Sequence, residues 1–140
     1  MTPEEKAAYE QKLFEEEQAR KEKAAREKRD RGLLISYKTV EEIELARDRK
    51  IGALEDYIES LEYSRNEAGS EYDDLLSQAI LEERAGKVPS EELKADLRSA
   101  KREFEIAEAD LEKAKKERLN TIRRFGDDII RFKELKGIKD

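Results

Sequence analysis

The sequence predicts an all-α fold: a long antiparallel coiled-coil helical hairpin preceded by a charged N-terminal helix and a bend. Three observations carry this reading. Of the 140 residues, 47% are Asp, Glu, Lys or Arg and only 36% are hydrophobic, which is too little apolar material for a thick globular core. Ala, Glu, Lys, Leu and Arg dominate, as in coiled coils, and proline stands only at positions 3 and 89. Apolar residues recur three and four apart on both sides of a Gly/Pro-marked turn.

The N-terminal helix is expected over residues 1–31. Thr2-Pro3-Glu4-Glu5 supplies an N-cap, a proline at the first helical position and acids in the first turn. Its apolar content is thin, limited to Ala7, Ala8, Leu13, Phe14, Ala19, Ala24 and Ala25, so it must either fray or lean on another surface. A bend is expected over 32–40, where Gly32 breaks the helical texture, Leu33-Leu34-Ile35-Ser36-Tyr37-Lys38 follows, and Thr39-Val40-Glu41-Glu42 forms a capping box.

The first hairpin helix spans 41–85, with seam residues Ile51, Leu54, Ile58, Leu61, Ala68, Tyr72, Leu75 and Ala79 and one slot taken by Arg65. Residues 86–90 turn the chain: Gly86 ends one helix, Pro89 lies beyond it, and Ser90-Glu91-Glu92 opens the next. The second hairpin helix spans 91–136. Its seam holds Leu93, Leu97, Ala100, Phe104, Ala107, Leu111 and Ala114, then is expected to slip by a four-residue stutter to Ile122, Phe125, Ile129 and Phe132. Gly126 weakens this last part and Gly137 ends it. Each arm is about 68 Å long at helical rise, and so short a link makes them antiparallel neighbours.

Function classes narrow accordingly. With no Cys and no His, disulfides, thiol nucleophiles, thiolate metal sites and imidazole acid–base chemistry are excluded. The carboxylate runs Glu15-Glu16-Glu17, Asp73-Asp74 and Asp127-Asp128 lack calcium-loop spacing, and solvated helix faces explain them. We therefore expect no catalytic residue, no metal, no cofactor and no small-molecule substrate. The net charge of −6 argues against a general nucleic-acid binder, although Arg20–Arg31 and Lys113–Arg124 are basic. No segment approaches the roughly 20 apolar residues of a membrane helix.

Two sets of residues stand out as candidate sites. Leu33, Leu34, Ile35 and Tyr37 should lie near Phe125, Ile129 and Phe132 at the open end of the hairpin. That is more apolar surface than a two-helix seam buries, so most of it should form a local core and the excess should serve self-association as a homodimer. Arg65 and Arg118 interrupt the seams. If residues facing each other across the arms have numbers summing to about 175, Arg65 meets Asp110, and Arg118 meets Asp56 or Tyr57, giving polar layers that set register; the alternative is that both arginines extend from the seam edge and reach only water.

The run from Arg29 to Arg49, Arg29-Asp30-Arg31-Gly32-Leu33-Leu34-Ile35-Ser36-Tyr37-Lys38-Thr39-Val40-Glu41-Glu42-Ile43-Glu44-Leu45-Ala46-Arg47-Asp48-Arg49, resembles a segment of Gram-negative envelope proteins of the domain-of-unknown-function 4124 group. Those proteins carry the segment after a signal peptide and a small β-rich domain, and before a coiled coil. Neither of those leading parts is seen here. The sequence is then expected to be the coiled-coil region, or a relative without those parts. The resemblance implies a periplasmic or envelope address and a structural role, and brings no catalytic residues. In physical terms Arg29-Asp30-Arg31 and Arg47-Asp48-Arg49 flank the bend and are expected to fix it by ion pairs.

The function expected is a non-enzymatic structural or protein-interaction module, an envelope scaffold or spacer. The alternative is a cytoplasmic adaptor that binds anionic surfaces, lipid or nucleic acid, through the basic segments.

Overall fold

A computed structural model describes residues 1–139 of the chain. It contains three helices, α1 (Pro3–Ser36), α2 (Val40–Arg84) and α3 (Glu91–Lys136). Each begins where side-chain chemistry dictates. The Thr2 hydroxyl accepts from the Glu5 N–H at 3.0 Å, the Thr39 hydroxyl from the Glu42 N–H at 3.2 Å, and the Ser90 hydroxyl from the Leu93 N–H at 3.0 Å, so each satisfies a donor that the helix start leaves over. The Glu42 carboxylate in turn accepts from the Lys38 N–H at 2.9 Å, which tightens the entry to α2.

Glycine sets the helix exits. Gly86 adopts φ 76° and Gly137 φ 68°, left-handed conformations open to a residue without Cβ. At the first, the Gly86 N–H reaches Glu83 O at 3.0 Å and the Lys87 N–H reaches Glu82 O at 2.9 Å. The same pair of bonds closes α3, from Gly137 to Glu134 and from Ile138 to Lys133. Both are Schellman closures, which satisfy the last carbonyls.

Gly32 does not break its helix. α1 runs through it to Ser36, five residues past the expected end at Arg31, and the actual bend is confined to Tyr37, Lys38 and Thr39. A glycine inside a helix costs only about 1 kcal/mol, and Leu33 beyond it is part-buried, so packing outweighs propensity. The chain leaves α1 at Tyr37, whose backbone is extended (φ −133°, ψ 142°).

The chain divides into two compact units. Unit 2, Ala46–Arg124, is an antiparallel hairpin of α2 and α3. On α2, Ile51, Leu54, Ile58, Leu61, Arg65, Ala68, Tyr72, Leu75 and Ala79 are all part-buried. On α3, Leu93, Ala100, Leu111, Ala114 and Thr121 are buried, with Leu97, Phe104, Ala107 and Arg118 part-buried between them. This three-and-four spacing is unbroken, so the expected stutter after Ala114 does not occur. Arg118 and Thr121 fill the next two seam slots, while Ile122, expected in the seam, keeps 38% of its surface.

Unit 1 comprises α1, the start of α2 through Leu45, and α3 from Phe125 onward. Its core is small: Ile43 and Phe132 are both 0% exposed, each burial being worth about 1.5–3 kcal/mol. Leu33, Tyr37, Val40, Phe125, Ile129 and Leu135 are part-buried. α1 contributes no buried residue at all. From Pro3 to Arg29 only Gln18 is even part-buried, and what lines the helix is local: Gln11 with Glu15, and Glu17 with Arg20 and Lys21.

Candidate functional site

Within unit 1 the expected local core divides by depth. Phe132 is fully buried, and Leu33, Tyr37, Phe125 and Ile129 are part-buried. Leu34 is 37% and Ile35 82% exposed, since consecutive residues of a helix point about 100° apart and only Leu33 of the three turns inward. Lys136 stands over the Phe132 ring, 5.8 Å from its centroid, an ammonium–π contact at the last turn of α3.

The chief polar tie in unit 1 was not foreseen. Arg131 on α3 grips Asp30 on α1 through two parallel bonds, Nε to Oδ1 at 2.9 Å and Nη2 to Oδ2 at 2.8 Å, and Nη1 donates to Glu134 at 2.9 Å. The planar guanidinium matches a carboxylate in this fork geometry. Its hydrogen bond, aided by the charges of Arg131, Arg29 and Arg26, holds the Asp30 carboxyl below its ordinary value. The bonds from Asp30 and then Glu134 push Arg131 up in turn. Of the charges expected to fix the bend, Asp30 turns to Arg131 within unit 1, and Arg47 donates to its neighbour Asp48 at 3.0 Å within unit 2.

Within unit 2 one of the two expected polar layers exists in altered form. Arg118 donates from Nε at 3.2 Å and from Nη2 at 2.9 Å to Glu55 Oε1, one residue from Asp56, which is exposed. Arg65 instead donates to Asn66 on its own helix at 3.1 Å, and Asp110 is exposed on α3. Among the described residues no ion pair joins Arg65 to Asp110. The cause is register: Glu55 faces Arg118 and Gly69 faces Phe104, so facing numbers sum to 173 at both contacts. The buried Thr121 hydroxyl is satisfied by Arg124 Nη2 at 3.3 Å.

A contact that sequence reasoning missed lies at Gly69, where the Phe104 ring packs so closely that an added Cβ would stand 3.0 Å from Cε2. The sequence carried only part of the signal: Gly69 adjoins the seam slot Ala68, but the expected sum of about 175 sets Phe104 against Glu71, and only the observed register brings the ring to Gly69.

An open groove of about 750 Å³ runs between Glu55, Ile58, Glu59 and Glu62 on α2 and Lys115, Arg118 and Leu119 on α3. Its lining sets three carboxylates, Glu55, Glu59 and Glu62, against two cations, Lys115 and Arg118, so a slight acidic excess is left. No group of three or more acids among the described residues is placed to hold a metal ion, and no helix among them is long and apolar enough to cross a membrane.

These surfaces define an all-α helical-hairpin protein with an added N-terminal helix. No protein-family model, curated protein or solved structure matches the chain.

Proposed function

We propose that this chain is a non-enzymatic protein-interaction module, a coiled-coil scaffold or spacer of the cell envelope that works as a homodimer. The observation supporting the reading is α1: 34 residues of helix with no buried residue, and with Tyr9, Leu13 and Phe14 about half exposed. Most helical stability in proteins comes from packing one face against another surface, and the surface of α1 is available to another protein. The absence of His and Cys from the sequence removes the commonest acid–base and nucleophilic groups. The resemblance of Arg29–Arg49 supports the envelope address.

Sedimentation equilibrium of the full chain tests the association. A mass of twice 16.3 kDa at about 10 µM, a concentration at which micromolar complexes form, is expected. A single-chain mass throughout would defeat the homodimer. Cell fractionation tests the address, and recovery in the cytosolic fraction alone would remove it.

The second reading, an adaptor for anionic surfaces, is favoured by the basic segment Arg20–Arg29, which is exposed along its whole length. Flotation with anionic vesicles at low salt distinguishes the two, because such binding weakens steeply as salt rises.

A further inference from the structure

The charge on α1 is not mixed along its length. Pro3–Ala19 carries six acids, Glu4, Glu5, Glu10, Glu15, Glu16 and Glu17, against Lys6 and Lys12. Arg20–Arg31 carries seven bases against three acids, Glu22, Glu27 and Asp30. The sign changes within one turn of Gln18 and Ala19, near the middle of the helix.

Apolar groups follow the same division. The acidic half holds the bulky ones, Tyr9, Leu13 and Phe14, exposed by 58%, 47% and 57%, whereas the basic half before Gly32 offers only Ala24 and Ala25. Nothing in unit 1 buries any of these residues, since α1 has no buried residue.

We infer that α1 is a docking surface for α1 of a second copy, the two helices running antiparallel about a centre near Gln18 and Ala19. This pairing rests on the homodimer reading above and assigns it a surface. It sets the acidic turns Glu10–Glu17 of each copy against the basic turns Arg20–Lys28 of the other, and the bulky Leu13 and Phe14 of each against the small Ala24 and Ala25 of the other. Large residues opposite small ones let two helices approach closely. A parallel pairing sets acid against acid and base against base, and is disfavoured for that reason. Such a contact is isologous, so it closes at two copies and leaves no end to propagate.

The chain has no native cysteine, so introduced ones report orientation. Full-length Tyr9→Cys and Lys28→Cys variants are mixed under mild oxidation at about 10 µM, and compared with each variant alone. In the antiparallel pairing Tyr9 of one copy lies beside Lys28 of the other. The mixture should form the mixed disulfide in large excess over either homodisulfide. As a second measurement, Glu15→Lys/Glu16→Lys/Glu17→Lys should weaken the sedimentation dimer by at least about tenfold, with helicity by circular dichroism retained.

Homodisulfides of Tyr9→Cys as the main product would show a parallel pair and overturn the inference. A dimer in sedimentation that is insensitive to charge reversal and gives no mixed disulfide would place the contact elsewhere, overturning the inference while the homodimer stands. A single-chain mass would remove both.

Discussion

Replacing Gly69 by alanine sets two effects of opposite sign against each other. Within a helix the exchange gains about 0.8–1.0 kcal/mol of propensity. At Gly52, where an added Cβ meets nothing within 4 Å, that gain stands alone. At Gly69 the new Cβ falls 3.0 Å from Phe104 Cε2 and 3.3 Å from Cδ2, closer than ordinary van der Waals contact, and over-packing a seam costs about 1–3 kcal/mol. The net expectation is a loss of about 1 kcal/mol for Gly69→Ala against a gain of about 1 kcal/mol for Gly52→Ala. Urea unfolding followed by circular dichroism measures both in the same helix and the same unit. A Phe104→Ala background removes the obstructing ring, so Gly69→Ala should there become stabilising, with a coupling of about 2 kcal/mol between the two sites. Gly69→Ala as stable as Gly52→Ala, or strictly additive with Phe104→Ala, would refute the close packing on which this reasoning depends.

Phe132→Ala empties a site with 0% exposure and should cost about 3–5 kcal/mol, read from the same denaturation; a loss under about 1 kcal/mol would mean that unit 1 has no packed core. Asp30→Asn tests the clasp on Arg131 through pH. The folded carboxyl titrates below its ordinary 3.8, so the unfolded chain binds more protons between the two values and stability rises with pH there. The stability difference between wild type and Asp30→Asn should therefore be constant above about pH 5 and shrink as pH falls through the lowered value. A difference that does not change with acid would show that the carboxylate charge is not what Arg131 holds.

The elements most legible in the sequence were those fixed by local chemistry. Thr2, Thr39 and Ser90 each cap the helix that follows, and Gly86 and Gly137 supply the left-handed exits, because a hydroxyl three residues before a free N–H, or a residue lacking Cβ, acts within one turn. Gly32 misled because a breaking tendency of about 1 kcal/mol yields to packing. The seam of α3 was misread after Ala114 for a different reason. Following apolar residues leads to Ile122, whereas the heptad itself leads through Arg118 to Thr121, which is 0% exposed; a polar residue can hold a seam slot when its own group finds a bond.

Polar partners were the least legible part of the candidate site. Arg118 took Glu55 in place of Asp56, and Arg65 took its neighbour Asn66, because a shift of one or two residues in register changes which carboxylate a long side chain meets. The pairing of Asp30 with Arg131, 101 residues apart, depends on where α1 docks, and no periodicity encodes that.

The Schellman closure at Gly86 also bears on how unit 2 comes together in time. Leu93, 5% exposed, lies beside the turn, so its first contacts with the end of α2 close a loop of only about ten residues, whereas Glu55 and Arg118 are 63 residues apart. Loop-closure entropy grows as the logarithm of length, so joining the distant pair first costs about 1.5 kcal/mol more than joining the near one. Each turn of pairing then shortens the loop left for the next. Loop-closure entropy by itself therefore favours pairing that spreads from Gly86 outward, with the Gly69–Phe104 contact cheaper to close first than the Glu55–Arg118 pair.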